Sequence, residues 1–272
     1  IYETSPGSNV YIFDFGQIMT GWPHLHLSGI APDKSGRTLR LRADEVMNGT
    51  GTTASPYWIT AGNGFVDADA QTEYYTLSSG QTQDWEPSFS YAGYRYVEVR
   101  GLYDVLGRAP DLKTDGGLLT ARVARSGFAT SGSFGSSNAL LNRIWQNARW
   151  AEQNNSVAKE TDTPTREKNG WTGDAQAGSE SEMLDFDLSR FYTQWLREFP
   201  DSQISTGEIP KIVPAAKGGY GYDQTPGWNF VYGPLPAWDA AMFVIPWELY
   251  QYYGDSAILR ELYPAQKRLM DY

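Results

Sequence analysis

The sequence has no cysteine and only two histidines, His24 and His26, in 272 residues. Without cysteine there are no disulfides, no zinc–thiolate sites and no thiol nucleophile. Two histidines leave little material for a histidine metal centre or a Ser-His-Asp triad. No apolar run approaches the ~18 residues of a membrane-spanning helix, so no membrane partner is expected. Positive charge is also scarce: 22 Lys+Arg stand against 32 Asp+Glu, a net charge of −10, which argues against a nucleic-acid ligand. Carboxylates and aromatic rings are plentiful, with 10 Trp, 18 Tyr and 11 Phe. That combination suits carbohydrate, because rings cover the apolar face of a sugar and carboxylates accept from its hydroxyls. With 40% hydrophobic residues a buried core is feasible, and the length suits one large domain or two smaller ones.

The hydrophobic period changes near residue 135. Before it, alternation at period two dominates: Tyr11–Phe15, Leu25–Leu27, Leu39–Ala43, Tyr74–Leu77 and Tyr94–Val99 read as strands, separated by turn residues such as Ser28-Gly29 and Asn48-Gly49. These short strands predict an antiparallel β-sandwich over residues 1–105. Residues 106–136 read as a connector, in which Ala121–Ala124 could form one more strand. From residue 137 the period is near 3.6. Leu140, Leu141, Ile144, Trp145, Ala148 and Ala151 fall on one helix face, with Ser136 or Ser137 as the expected N-cap. Further helices are expected over 174–198, 237–252 and from Ser256 onward. The loops 155–173 and 199–235 are long, and long loops in compact domains are usually functional.

The chemistry concentrates in the first of these loops. Between Asp162 and Asp174 lie three carboxylates, one arginine and one tryptophan, counting Glu167, Arg166 and Trp171. Pro164, Gly170 and Gly173 forbid a continuous helix, so the segment can fold back on itself, and Asp174 is the expected N-cap of the helix that follows. A glycosidase needs one carboxylic acid kept protonated near neutral pH, which burial or neighbouring negative charge can provide. Glu167 is the candidate acid, with Asp162 and Asp174 as hydroxyl acceptors and Trp171 as a platform. The plainer reading is a helix cap, an Arg166–Glu167 pair and a core Trp, and spacing alone does not decide between the two. His24 and His26 alternate on one strand face, where ordinary packing is the preferred role. Asn48 and Asn154 each begin an N-x-[ST] triplet.

Thr161–Gln176 resembles the active-site signature of glycoside hydrolase family 78, the α-L-rhamnosidases, with Thr163 in place of a cysteine and one residue fewer between Arg166 and Gly170. Asp14-Phe15-Gly16-Gln17 with Gly21-Trp22, the run Trp85–Val99, Gly207–Pro210 and Trp238-Asp239-Ala240 resemble further family segments in the same order. The resemblance implies a β-sandwich followed by the first part of an (α/α)6 barrel, here residues 137–272. It implies hydrolysis of terminal α-L-rhamnosides with inversion, on flavonoid glycosides, saponins or polysaccharides, with no organic cofactor and no metal. By motif position Glu167 corresponds to the general acid and Asp162, Arg166, Trp171 and Asp174 to sugar-binding neighbours, with Trp228 and Trp238 as candidate further walls.

Inversion also needs a general base, and the family's base comes from a later part of the barrel than any segment of this sequence. Four helices are readable here, against twelve in a six-hairpin barrel. The expectation is therefore that a second polypeptide or a cleaved C-terminal part completes the barrel. Two other readings stand beside this one: a non-catalytic carbohydrate-binding fragment, and a related barrel hydrolase acting on another sugar. Acidic charge, turn-rich composition and a non-Met start point to a secreted or periplasmic setting.

Overall fold

The computed structural model describes residues 2–3, 7, 9–47, 71–215 and 233–272. The expectations for Trp228 and Asn48 lie outside these residues. Two compact units form: Ile1–Ala124 with Pro164–Arg166, and Arg125–Thr163 with Glu167–Tyr272.

The first unit is an antiparallel sheet. Its strands are β1 (Tyr2–Glu3), β2 (Val10–Leu27), β3 (Thr38–Asp44), β4 (Thr72–Thr76), β5 (Gln83–Trp85), β6 (Ala92–Arg100) and β7 (Leu119–Val123), with two short helices, α1 (Leu102–Leu106) and α2 (Leu112–Asp115), before the last strand. The strand order is β1-β2-β6-β3-β4, and β5 and β7 also pair with β2. Segments Tyr11–Phe15 and Leu25–Leu27, which the sequence separates, belong to this one long strand. A register shift between Asp14 and Met19 accommodates the interruption, and Gly16 there sits at φ 77° with its N–H donating to Asp14 Oδ1 at 2.7 Å. Period two then holds: Ile12, Leu25, Leu39, Leu41, Val97 and Val99 are fully buried.

Two carboxylates of the sheet, Glu98 and Asp84, are paired with cationic or imidazole side chains. Glu98, 2% exposed, accepts from Arg40 at 3.2 Å and Arg100 at 2.7 Å. His24 Nε2 and His26 Nδ1 lie 2.7 and 2.9 Å from the two oxygens of Asp84, so the pair ties β5 to β2. Among the described residues no group of three His, Cys, Asp or Glu side chains could hold a metal ion.

The second unit contains α3 (Ala139–Asn154), the hairpin β8 (Ser156–Val157) and β9 (Lys159–Glu160), α4 (Thr172–Asp185), α5 (Ser189–Leu196), α6 (Glu198–Ser202), α7 (Pro236–Asp239), α8 (Ala241–Tyr253) and α9 (Ser256–Asp271). The single helix expected over 174–198 is two helices. Phe186 bridges to Thr130, and Asp187 accepts from the backbone N–H of Ser189 at 3.1 Å, so the chain breaks and restarts. The cap of α3 is Asn138 rather than a serine, accepting from Leu140 N at 2.9 Å. Gly254 at φ 71° ends α8, and Asp255 caps α9 by accepting from Ala257 N at 3.0 Å. Met183, Tyr192, Trp195, Leu196, Phe199, Met242, Ile245 and Leu262 form the core. The apolar stripe of α3 is present but uncovered, with Leu140 66% and Ile144 55% exposed. Asn154 is buried at the end of α3, out of reach of a modifying enzyme.

Acids also enter this core. Tyr192 donates its hydroxyl to Glu182, Ser156 donates to Glu160 at 3.2 Å, and Ser179 donates to Glu248 at 2.6 Å. Burial pushes the Glu182 carboxyl up to about 7, aided by Glu152 and Glu248, and pushes Glu160 well above the carboxylate range, aided by Glu182.

Two outcomes follow from this packing. Gly21 lies at φ 151°, and a Cβ there would stand 1.8 Å from the carbonyl oxygen of Arg122 on β7. Gly21→Ala is expected to cost more than about 1 kcal/mol, read as a lowered denaturation midpoint. An unchanged midpoint would show that β7 yields without cost. For Glu182 the folded pKa lies above the unfolded one, so the fold holds the proton more tightly. Stability is therefore highest below the unfolded value and falls as pH rises from ~4.5 towards 7. Glu182→Gln keeps an acceptor for Tyr192 and removes that ionisation. The wild-type melting temperature should drop more between pH 5 and pH 8 than that of the variant, and equal drops would contradict the tight proton.

Candidate active site

The loop that follows β9 is closed at its neck by two backbone-directed bonds. Asp162 N donates to Asn169 O at 3.1 Å, and Asn169 N donates to Asp162 Oδ1 at 2.9 Å. The sequence can fold this way because Pro164 prevents a helix and Lys168 adopts φ 55°. The chain leaves the loop through Gly170, whose carbonyl accepts from Val213 N at 2.8 Å, and a Cβ on Gly170 would meet that valine's oxygen at 2.0 Å. Trp171 then bridges Ile212 and serves as N-cap of α4.

Thr172 opens the helix and is held twice: its N–H donates to Lys211 O at 2.8 Å, and its hydroxyl donates to Trp238 O at 3.0 Å. The next residue, Gly173, lies against the Trp238 indole, where a Cβ would stand 2.6 Å from ring carbons. Asp174 falls in the first turn instead of at the cap, because Trp171 and Thr172 are already fixed by the 211–213 segment. A first-turn carboxylate still meets the positive end of the helix.

The carboxylates converge. Trp171 Nε1 donates to Glu167 Oε2 at 2.7 Å. Asp162 is half-buried, and that burial, with the negative charges of Glu167 and Asp174, raises its carboxyl to about 6 against the opposing bond from Asn169 N. Asp174 reaches solvent, yet the protein around its carboxyl raises its pKa, and so does the Glu167 charge. Three acids thus share one field, with Trp171 and Trp238 beside them. The Trp238 indole N–H is closed off from solvent and has no acceptor among the described residues.

Of the residues singled out from the sequence, Asp162, Glu167, Trp171, Asp174 and Trp238 therefore gather in the helical unit. Arg166 counts with the sheet unit, where it attracts Glu45, a residue the sequence reading did not single out. Sequence reasoning also missed Lys211, a cation only 1% exposed. A lone Lys inside the apolar run Ile209–Val213 was the signal for it.

Residues 129–272 match the family model of the bacterial alpha-L-rhamnosidase six-hairpin glycosidase domain, and residues 4–120 match that of the bacterial alpha-L-rhamnosidase concanavalin-like domain. An alpha-L-rhamnosidase of Streptomyces avermitilis is 33% identical over 96% of this chain, which covers 22% of that protein. The crystal structure of a Streptomyces avermitilis alpha-L-rhamnosidase complexed with L-rhamnose aligns over all of the chain with a TM-score of 0.82 at 31% identity, covering 23% of that structure. The alpha-L-rhamnosidase from Dictyoglumus thermophilum aligns over 98% of the chain with a TM-score of 0.81 at 30% identity, covering 27% of that structure. The chain spans about a quarter of the length of these relatives. With the acidic loop of Glu167 and both family models in the same order along it, the chain belongs to the bacterial α-L-rhamnosidases of glycoside hydrolase family 78.

Proposed function

We propose that this chain carries the acid side of an inverting glycoside hydrolase that releases terminal α-L-rhamnose, with Glu167 as the general acid. The observation that carries the reading is the Trp171 N–H on Glu167 Oε2 at 2.7 Å, within the shared field of Asp162 and Asp174. Because the indole N–H occupies Oε2, the transferable proton belongs on Oε1, where it can pass to the oxygen of the departing group. Asp162 and Asp174 accept from sugar hydroxyls, and the Trp171 and Trp238 rings offer apolar planes. Arg166 and Trp228 remain candidate sugar contacts. The choice of L-rhamnose is supported by the names of the relatives and by the rhamnose complex among them.

Inversion needs a second carboxylate roughly 6.5–9.5 Å from the acid to activate water on the opposite sugar face. We assign that base to polypeptide outside these 272 residues, in hairpins that complete an (α/α)6 barrel. The exposed apolar side chains Leu140, Leu141 and Ile144 on α3 and Met270 on α9 support that assignment, since faces of this kind are normally covered. Rhamnosides of flavonoids, saponins or polysaccharides are the substrate classes.

The test is Glu167→Gln in the protein carrying the completed barrel, assayed on an aryl α-L-rhamnoside. The kcat should fall by roughly 10²–10⁴-fold, with the melting temperature close to wild type. Near-normal turnover would remove Glu167 from the acid role, and binding without rhamnose release by the wild-type protein would favour a non-catalytic carbohydrate module.

A further inference from the structure

Lys211 is 1% exposed, and an ammonium so buried is tolerated only with a well-placed partner. Its Nζ donates to Asp239 Oδ1 at 2.6 Å and to Ile209 O at 3.3 Å. The second Asp239 oxygen accepts from Leu235 N at 2.9 Å, which fixes that carboxylate on the start of α7. Both members of this ion pair belong to segments that hold Thr172. The carbonyl of Lys211 itself takes the Thr172 N–H at 2.8 Å, and the carbonyl of Trp238, next to Asp239, takes the Thr172 hydroxyl at 3.0 Å. The ion pair therefore closes a ring: Thr172, Lys211, Asp239, Trp238 and back to Thr172. Directly before Thr172 stands Trp171, whose backbone bridges Ile212 and whose indole N–H is bonded to Glu167.

We propose that the Lys211–Asp239 pair is the positioning device for the Glu167 carboxyl. It holds the 211–213 segment and the start of α7 together, so that Trp171, the N-cap of α4, is held in one orientation and presents its N–H to Oε2. Lys211 bonds to Asp239 and Ile209, and Asp239 to Lys211 and Leu235, while Glu167 is reached through Trp171, so the pair are positioning residues. The inference rests on the reading of Glu167 as general acid.

Leaving-group dependence separates positioning from simple support of the fold. An activated leaving group such as 2,4-dinitrophenolate departs without a proton, whereas a poor one such as a simple alkoxide needs the acid. In the complete enzyme, the neutral double variant Lys211→Met with Asp239→Asn removes both charges and leaves an acceptor for Leu235 N. Its kcat on an alkyl α-L-rhamnoside should fall at least about tenfold. Its kcat on the dinitrophenyl rhamnoside should stay within about twofold of wild type, and KM should change little on either. Lys211→Arg keeps the charge but changes its reach; it should show the same selectivity to a smaller degree, and it carries the test if the double variant does not fold. Equal losses on both substrates, or no loss in a folded variant, would overturn the positioning role. Glu167→Gln, run in parallel, separates the two levels. If it shows the leaving-group selectivity and the Lys211 variants do not, only the positioning role fails. If it too lacks selectivity, the acid assignment fails and the positioning role falls with it.

Discussion

Thr172 has two polar groups to satisfy at the start of α4, and each is taken by a carbonyl from a different part of the chain. Lys211 O accepts its N–H and Trp238 O accepts its hydroxyl. A helix N-terminus leaves its first N–H groups without internal partners, and side-chain caps from Ser, Thr, Asp or Asn normally meet that need. Here the N-cap is Trp171, with no side-chain cap bond, so the need is met by tertiary contacts. A local cap would have made the helix start independent of the rest of the unit. The tertiary solution couples it to residues 39 and 66 positions further along the chain. The half-buried indole of Trp171, at this helix start, is the group that reaches Glu167.

The same unit keeps its acids in two settings. Glu182 and Glu160 lie in the core, where burial holds protons on them, with hydroxyl groups of Tyr192 and Ser156 as donors. Asp162 and Asp174 are more open, and their ionisation is opposed by burial and also by the charge of Glu167. Asp162 and Asp174 therefore hold their protons to a higher pH than isolated carboxylates do. Composition alone pointed towards this, because a chain without cysteine and with two histidines has few other groups for acid–base work.

Much of this was legible in the sequence where the cause is local. Period-two alternation marked Leu39–Ala43 and Tyr94–Val99, which are β3 and β6 residues, because one buried face needs no more than that pattern. The start of α9 at Ser256 was legible as well, because the left-handed Gly254 and the capping Asp255 that precede it act through single residues. The misses have tertiary causes. The break at Phe186 depends on a bridge to Thr130, far away in sequence, and Asp174 lost the cap position to a segment some 40 residues later. The stripe on α3 was legible as helical, while its exposure was not, since period specifies a face and not what covers it. For the site, the motif located Asp162, Glu167, Trp171 and Asp174 together, whereas the assignment of Arg166 to the sheet unit depends on packing that spacing does not encode.

Lys211 shows how a residue without chemistry of its own can matter to residues that have it. A buried ion pair is a weak source of stability, because desolvation offsets most of the attraction. Had stability been the requirement, an apolar pair in the same space would serve at least as well. An apolar pair, however, slides, whereas an ammonium bonded to one carboxylate oxygen and one carbonyl admits few arrangements. The carboxylate is itself fixed by Leu235 N, so the restriction passes to the start of α7 and through the Trp238 carbonyl to Thr172. Geometry near an acid must hold to fractions of an ångström for proton transfer to be efficient. A directional pair behind the first turn of α4 meets that need in a way that greasy packing does not.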